Sequence, residues 1–167
     1  MGEDLSLEGR DPVRTPMQWS DEPNAGFSTA PPDRLPRPIV TGGDFGYEKV
    51  NVASQRDRPG SVMEHLERLI RTRRACPEVG WGEWQIVEAG DPGVLAMRYE
   101  WREETVVVVH NVTGRRTSAK LQLKDGPRRL KPLFCDTDDD RTPRDAGAAV
   151  ELEPFGFRWF RGNAERR

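Results

Sequence analysis

The sequence predicts a mainly β protein: a C-terminal antiparallel β-sandwich, preceded by a long loop and one helix. Three observations carry this. From residue 84 onward apolar residues recur with a period of two, in short runs divided by turn residues. Gly and Pro make up 15 of the first 60 residues, against 15 of the remaining 107. One stretch alone, residues 61–75, has the apolar spacing of a helix.

Residues 1–60 cannot hold long helices or central strands, because Pro lacks a backbone donor and Gly costs chain entropy. The stretch still carries Met17, Trp19, Phe27, Ile39, Val40, Phe45, Tyr47, Val50 and Val52, which a solvated tail would not need. An ordered loop of about 50 residues is uncommon, and is functional or belongs to something larger.

Residues 61–75, SVMEHLERLIRTRRA, place Val62, Leu66, Leu69 and Ile70 on one helical stripe, with Met63 beside it. Ser61 and Glu64 have the spacing of a capping box, and Pro77 follows a basic last turn. Seven strands are predicted next, at 84–89, 93–101, 104–112, 117–123, 128–134, 148–153 and 155–161. Val106 to Val109 has no polar alternate, so that strand is expected to be central and buried on both faces.

The chain has 167 residues, 26 basic and 28 acidic, for a net charge of −2. With the signs balanced, no strong field favours nucleic acid or an anionic membrane, and no partner of either kind is expected. No apolar run approaches the roughly 20 residues of a membrane span, and MGEDLSLEGRDP lacks the pattern of a signal peptide, so a cytoplasmic protein is expected. Two cysteines, Cys76 and Cys135, are too few for a disulfide framework or a zinc site. No metal and no cofactor is expected.

Most catalytic patterns are missing from the sequence: it has no G-x-S-x-G, P-loop, G-x-G-x-x-G or H-E-x-x-H. His65 lies mid-helix, and His110 ends the valine strand as a structural histidine. Asp136, Asp138, Asp139 and Asp140 could suggest a cation site. An EF-hand loop there would need Gly at Arg141 and Glu at Gly147, so a solvated acidic turn is the better reading. Asn111-Val112-Thr113 matches a glycosylation sequon but sits at a strand end, and it is discounted.

One segment is more specific. Arg14-Thr15-Pro16-Met17-Gln18-Trp19 is followed by Asn24-Ala25-Gly26-Phe27. Further on come Tyr47 to Asn51 (YEKVN), the helix Ser61–Arg74, and Gly80 to Trp84 (GWGEW). This series resembles the alpha-amylase superfamily (glycoside hydrolase family 13), in its alpha-glucosidase, oligo-1,6-glucosidase and trehalose synthase branch. MGEDLSLEGR is most similar to the segment preceding that motif in trehalose synthases.

The resemblance covers nearly the whole chain and implies its organisation. Residues 1–77 would be the C-terminal remnant of a (β/α)8 catalytic barrel, with loop 1–60 at the active-site mouth and the barrel's last helix at 61–75. Residues 78–167 would be the C-terminal sandwich. Retaining glycosidases use two carboxylates about 5–5.5 Å apart. In the family these lie upstream of the matched segment, so no catalytic residue is carried over onto this chain. The missing barrel portion is a candidate partner. Arg10 and Arg14 match the family's R-x-x-x-R pair facing the innermost sugar, so an alpha-glucoside such as maltose or trehalose is the implied ligand of the intact parent. A guanidinium suits that role, because its fork of donors binds vicinal hydroxyls while pairing with a carboxylate. Trp19 is expected to pack rather than stack, and Gly26 to take a positive φ.

A second reading is a standalone, non-catalytic sandwich that binds carbohydrate or another partner. It would need exposed aromatics for ring stacking, and the candidates are Trp81, Trp84, Trp101 and Trp159, the last of which alternates inward.

Overall fold

The computed structural model describes residue 8 and residues 14–124, 126–127, 129–136 and 149–163. It divides into two units, Met1–Arg68 and Leu69–Arg167.

The first unit is held by side chains that bond backbone, as its Gly and Pro content requires. Its regular pieces are short: 3-10 turns at Pro23–Gly26 and Pro32–Arg34, and a single helical turn, α1, at Val52–Gln55. Asn51 caps α1 by accepting from the Ser54 N–H at 2.7 Å, and its amide donates to the Tyr47 carbonyl at 2.8 Å. The Val52 and Ala53 amides donate to the Gln18 and Trp19 carbonyls, both at 2.9 Å, which ties α1 to the motif strand of loop. The Gln18 side chain donates to the carbonyls of Phe45 and Val50.

Helix α2 runs from Val62 to Arg74, close to the predicted span. Its capping box is half of the expected one. The Ser61 hydroxyl accepts from the Glu64 N–H at 3.2 Å, but the Glu64 carboxylate accepts from Gly60 N–H at 2.6 Å. The Ser61 N–H is already taken by the Arg58 carbonyl at 3.2 Å. The apolar stripe on α2 is largely bare: Val62 is 66% exposed, Leu66 48% and Ile70 56%.

The second unit is antiparallel sheet. After the short helix α3 (Glu78–Trp81) come β1 (Glu83–Val87), β2 (Val94–Trp101), β3 (Glu104–Asn111), β4 (Thr117–Lys120), β5 (Lys131–Cys135), β6 (Ala149–Leu152) and β7 (Phe157–Asn163). One sheet has the order β1-β2-β3-β7-β5, and β4 pairs with β6 in a second. Each of the seven predicted strands has its counterpart. β4 stops three residues early because the chain changes partner: the Lys120 and Gln122 amides donate to the Ala89 and Glu88 carbonyls at 2.9 and 3.0 Å. β5 tolerates Pro132 because it is an edge strand, and its register shifts between Pro132 and Phe134.

The prediction for β3 holds. Thr105 to Val109 are all buried, and the two faces feed different clusters. Val107 and Val109 join Val87, Ala96 and Phe160 against Ala119, Val150 and Leu152 of the β4–β6 layer. Val106 and Val108 join Phe134, Trp159 and Cys76, with Leu69 and Val79 packed alongside. The sheet is therefore covered by sheet on one side and partly by helix on the other. Full burial of each valine is worth about 1.5–3 kcal/mol, and β3 contributes two to each cluster.

Candidate functional site

The motif segment forms a compact turn whose backbone is left-handed over three consecutive residues. Asn24 and Ala25 both have φ of 57° and Gly26 has 64°. Such conformations cost an ordinary L-residue roughly 1–2 kcal/mol, and they persist only where surrounding bonds over-determine them. Here they are over-determined. The Ala25 carbonyl accepts from the Trp19 and Ser20 amides at 2.8 and 3.1 Å, and the Asn24 amide group donates to the Ser28 and Ala30 carbonyls at 2.9 and 2.7 Å. Ala25 is fully buried. The positive φ expected at Gly26 is present, and a Cβ there would also collide with the Ser20 hydroxyl.

Beside this turn lies an open groove of about 880 Å³, lined by Glu22, Asn24, Gly26, Phe27, Ser28 and Thr29 among others. The aromatics of the segment face outward: Trp19 is 48% exposed and Phe45 58%. Trp19 was expected to pack; in this chain it is half bare. Arg14 is exposed at the start of the described segment, and Arg10 lies outside the described residues. The structure therefore shows one of the two expected sugar-facing arginines, with its guanidinium open to solvent.

The titratable groups of the second unit have structural partners. Asp91 accepts from the Thr117 hydroxyl at 2.6 Å, from Gly93 N–H at 2.8 Å, and from Arg115 at 2.9 Å on both oxygens. These bonds, the Thr117 hydroxyl first, hold its carboxyl below the usual range. A glycosidase acid needs the opposite shift. His110 packs on Phe157 with ring centroids 5.8 Å apart, and burial lowers its pKa, so it is a neutral structural histidine as expected. Asn111 is buried, donating to the Arg115 and Glu153 carbonyls at 2.6 and 2.8 Å, so its amide is not presented as a sequon requires. Asp138, Asp139 and Asp140 lie outside the described residues. Among those described, no group of three His, Cys, Asp or Glu could hold a metal ion, and no helix is long and apolar enough to cross a membrane.

A family model described as alpha amylase, catalytic domain, matches residues 1–82. The chain belongs to the alpha-amylase family. Within that family it is 29% identical to the trehalose synthase of Pimelobacter sp. over 165 residues, which is 96% of this chain and 29% of that protein. It is 42% identical over 127 residues to the trehalose synthase/amylase TreS of Mycobacterium tuberculosis, 74% of this chain and 21% of that one. The trehalulose synthase MutB of Pseudomonas mesoacidophila superposes with a TM-score of 0.73 at 27% identity, covering 94% of this chain and 26% of that structure. The trehalose-6-phosphate hydrolase of Bacillus licheniformis, at 24% identity, shares the fold over 96% of this chain with a TM-score of 0.73. The chain spans less than a third of the length of these alpha-amylase family relatives.

Two features of the site escaped the sequence reading. The Asp91–Arg115–Thr117 cluster joins a turn to β4 across 24 to 26 positions; Asp-Pro-Gly marked the turn, but nothing local marked its partners. Ala25 as a left-handed residue had no sequence signal at all, because alanine is not a turn former.

Proposed function

We propose that these residues are the C-terminal part of an alpha-amylase family enzyme acting on short alpha-glucosides, most like a trehalose synthase that interconverts maltose and trehalose. The observation that carries this is the catalytic-domain match over 1–82, joined to sequence similarity to a trehalose synthase along 96% of the chain. Arg10 and Arg14 are the sugar-binding residues, and Arg14 precedes the left-handed turn on the same loop. Arg14 supplies a fork of donors to the hydroxyls of the innermost glucose. The acid/base pair and nucleophile lie outside these 167 residues, so the chain by itself is catalytically silent.

Arg14→Lys in the whole enzyme containing this segment tests the assignment. Lys keeps the charge and loses the planar fork. The expected result is a kcat/KM on maltose lowered by about 10- to 100-fold, equivalent to one or two charge-assisted hydrogen bonds, with the thermal midpoint unchanged. An unchanged kcat/KM would make Arg14 a purely structural residue.

The second reading, a carbohydrate-binding sandwich, keeps one specific support: Trp81 is 76% exposed and Trp84 62%. Trp159 is removed from that set by burial, and Trp101 is half-buried with the Arg102 guanidinium 5.5 Å from its ring centre. Titration of the chain with maltotriose while following tryptophan fluorescence separates the readings. Saturable quenching lost in Trp84→Ala favours the module, and a flat titration favours the enzyme fragment.

A further inference from the structure

Arg161, near the end of β7, makes contacts that no strand ladder requires. Its Nη2 donates to the Ala75 carbonyl at 2.8 Å and lies 3.1 and 3.2 Å from the two carboxylate oxygens of Glu78. Ala75 directly follows α2, so its carbonyl belongs to the last turn, where acceptors have no helical partner and a cation meets the negative end of the helix dipole. Glu78 opens α3 and is 1% exposed. A carboxylate that deep is tolerated only when it is paired, and Arg161 is its pair.

The residues between these two anchors depend on them. Cys76 is 1% exposed and packs with Val106, Val108, Phe134 and Trp159. Burial raises its thiol pKa, while the nearby Arg161 charge works in the opposite direction. Val79 is half-buried against the same cluster, whereas Pro77, Gly80 and Trp81 are exposed. The backbone bonds of Val79, Gly80 and Trp81 go to Cys76 and Pro77, within the segment itself. Cys76 and Val79 hold the segment to the sheet by packing, and among the described residues Arg161 supplies its polar hold.

We propose that Arg161 is a latch: it fastens the exit of α2 onto β7 through the Ala75 carbonyl and Glu78, and residues 75–81 open as one local unit when it is released. Arg161 is thus a positioning residue for the end of the helix, and this holds whether or not the parent enzyme acts on glucosides. Opening uncovers Cys76 without unfolding the sheet, because the larger cluster between the sheet and the β4–β6 layer contains none of the residues that the latch holds.

Native-state thiol labelling of the full chain tests this, with Cys135→Ser as background so that Cys76 is the one reactive thiol. Arg161→Met keeps the apolar stem and removes the donors. The expected result is Cys76 labelling accelerated about tenfold or more, while amide exchange at Val150 on β6 is unchanged, which is the mark of local rather than global opening. Glu78→Gln, which leaves the Ala75 bond, should show a smaller acceleration and stands in if Arg161→Met does not fold. Unchanged labelling in the folded variants would overturn the latch. So would acceleration matched by equal loss of protection at Val150, because the residue would then only add to global stability.

Discussion

The Trp19 amide donates at 2.8 Å to the carbonyl of Ala25, an alanine held at φ 57° with no exposed surface. One residue of the family motif is thus bonded to the most strained residue of the loop that follows it. The strain is offset by bonds that converge on this turn, and the turn braces the segment on which Arg14 sits.

Asn24 should be the most sensitive of these positions. Asn24→Ala removes both donations, to Ser28 and Ala30, and puts a residue with no polar side chain at φ 57°. A loss of roughly 2–4 kcal/mol in local stability is expected from two hydrogen bonds and one left-handed residue. Asn24→Gly should recover the backbone part alone. Amide exchange at Trp19 and Ser20 measures both; equal protection in all three proteins would show that the turn is not held by Asn24.

Thr105 makes the opposite case. It is 1% exposed, and among the described residues its hydroxyl has no hydrogen-bond partner. Thr105→Val keeps the shape and removes an unsatisfied polar group, so stability should rise by about 1 kcal/mol. Urea unfolding of the folded chain provides the check, and a lower midpoint would mean that the hydroxyl is satisfied in solution.

Asn111 should carry no glycan on the folded protein, since its amide serves two carbonyls inside the second unit. Expressed through a glycosylating secretory route, the native chain should keep its unmodified mass. Asn111→Ala should cost roughly 1–3 kcal/mol by removing two hydrogen bonds that tie the end of β3 to neighbouring loops. A glycan on folded protein would contradict the geometry.

His110 gives stability a defined pH dependence. Burial lowers its folded-state pKa below the ordinary 6.5, so between the two values the unfolded chain binds the extra proton. Stability from this group is complete above pH 6.5 and falls as pH drops through the folded-state value. The unfolding midpoint of wild type should therefore fall from pH 7 to pH 5 more steeply than that of His110→Gln. Parallel profiles would show that His110 titrates normally.

Legibility followed sequence distance. Strands β1 to β7 and helix α2 could be read because each is set by alternation, helical spacing and turn residues within about ten positions of one another. The doubly buried β3 could be read because Val106 to Val109 leave no polar face. What could not be read is which strands meet: β3 lies between β2 and β7, and β4 leaves the main sheet for β6. The Arg161 contacts with Ala75 and Glu78 span 86 and 83 positions, beyond any local pattern. The capping box was half right, because Glu64 had a second donor, Gly60, within reach. The site was legible only as a motif: Arg14 lies exposed on its loop, while the left-handed Ala25 that shapes that loop had no sequence mark.

The division of the chain follows from the same packing. The first unit keeps Met17, Trp19, Phe27 and Phe45 more than 40% exposed, whereas the strands bury two clusters. Limited trypsin digestion should cut at arginines up to Arg74 early and leave a resistant piece covering about 84–161, with the boundary near residues 60–80. Equal protection of residues 14–60 would give that stretch a complete fold of its own.

The most direct measurement is turnover by the 167-residue chain itself. Purified from a host lacking its own glucosidases, it should convert neither maltose nor trehalose and hydrolyse neither, at any enzyme concentration, if, as proposed, the paired carboxylates that such chemistry requires lie outside these residues. Glucose release, or interconversion of the two disaccharides, in proportion to the amount of chain and abolished by no treatment short of unfolding it, would place a catalytic pair within this sequence and contradict the fragment reading.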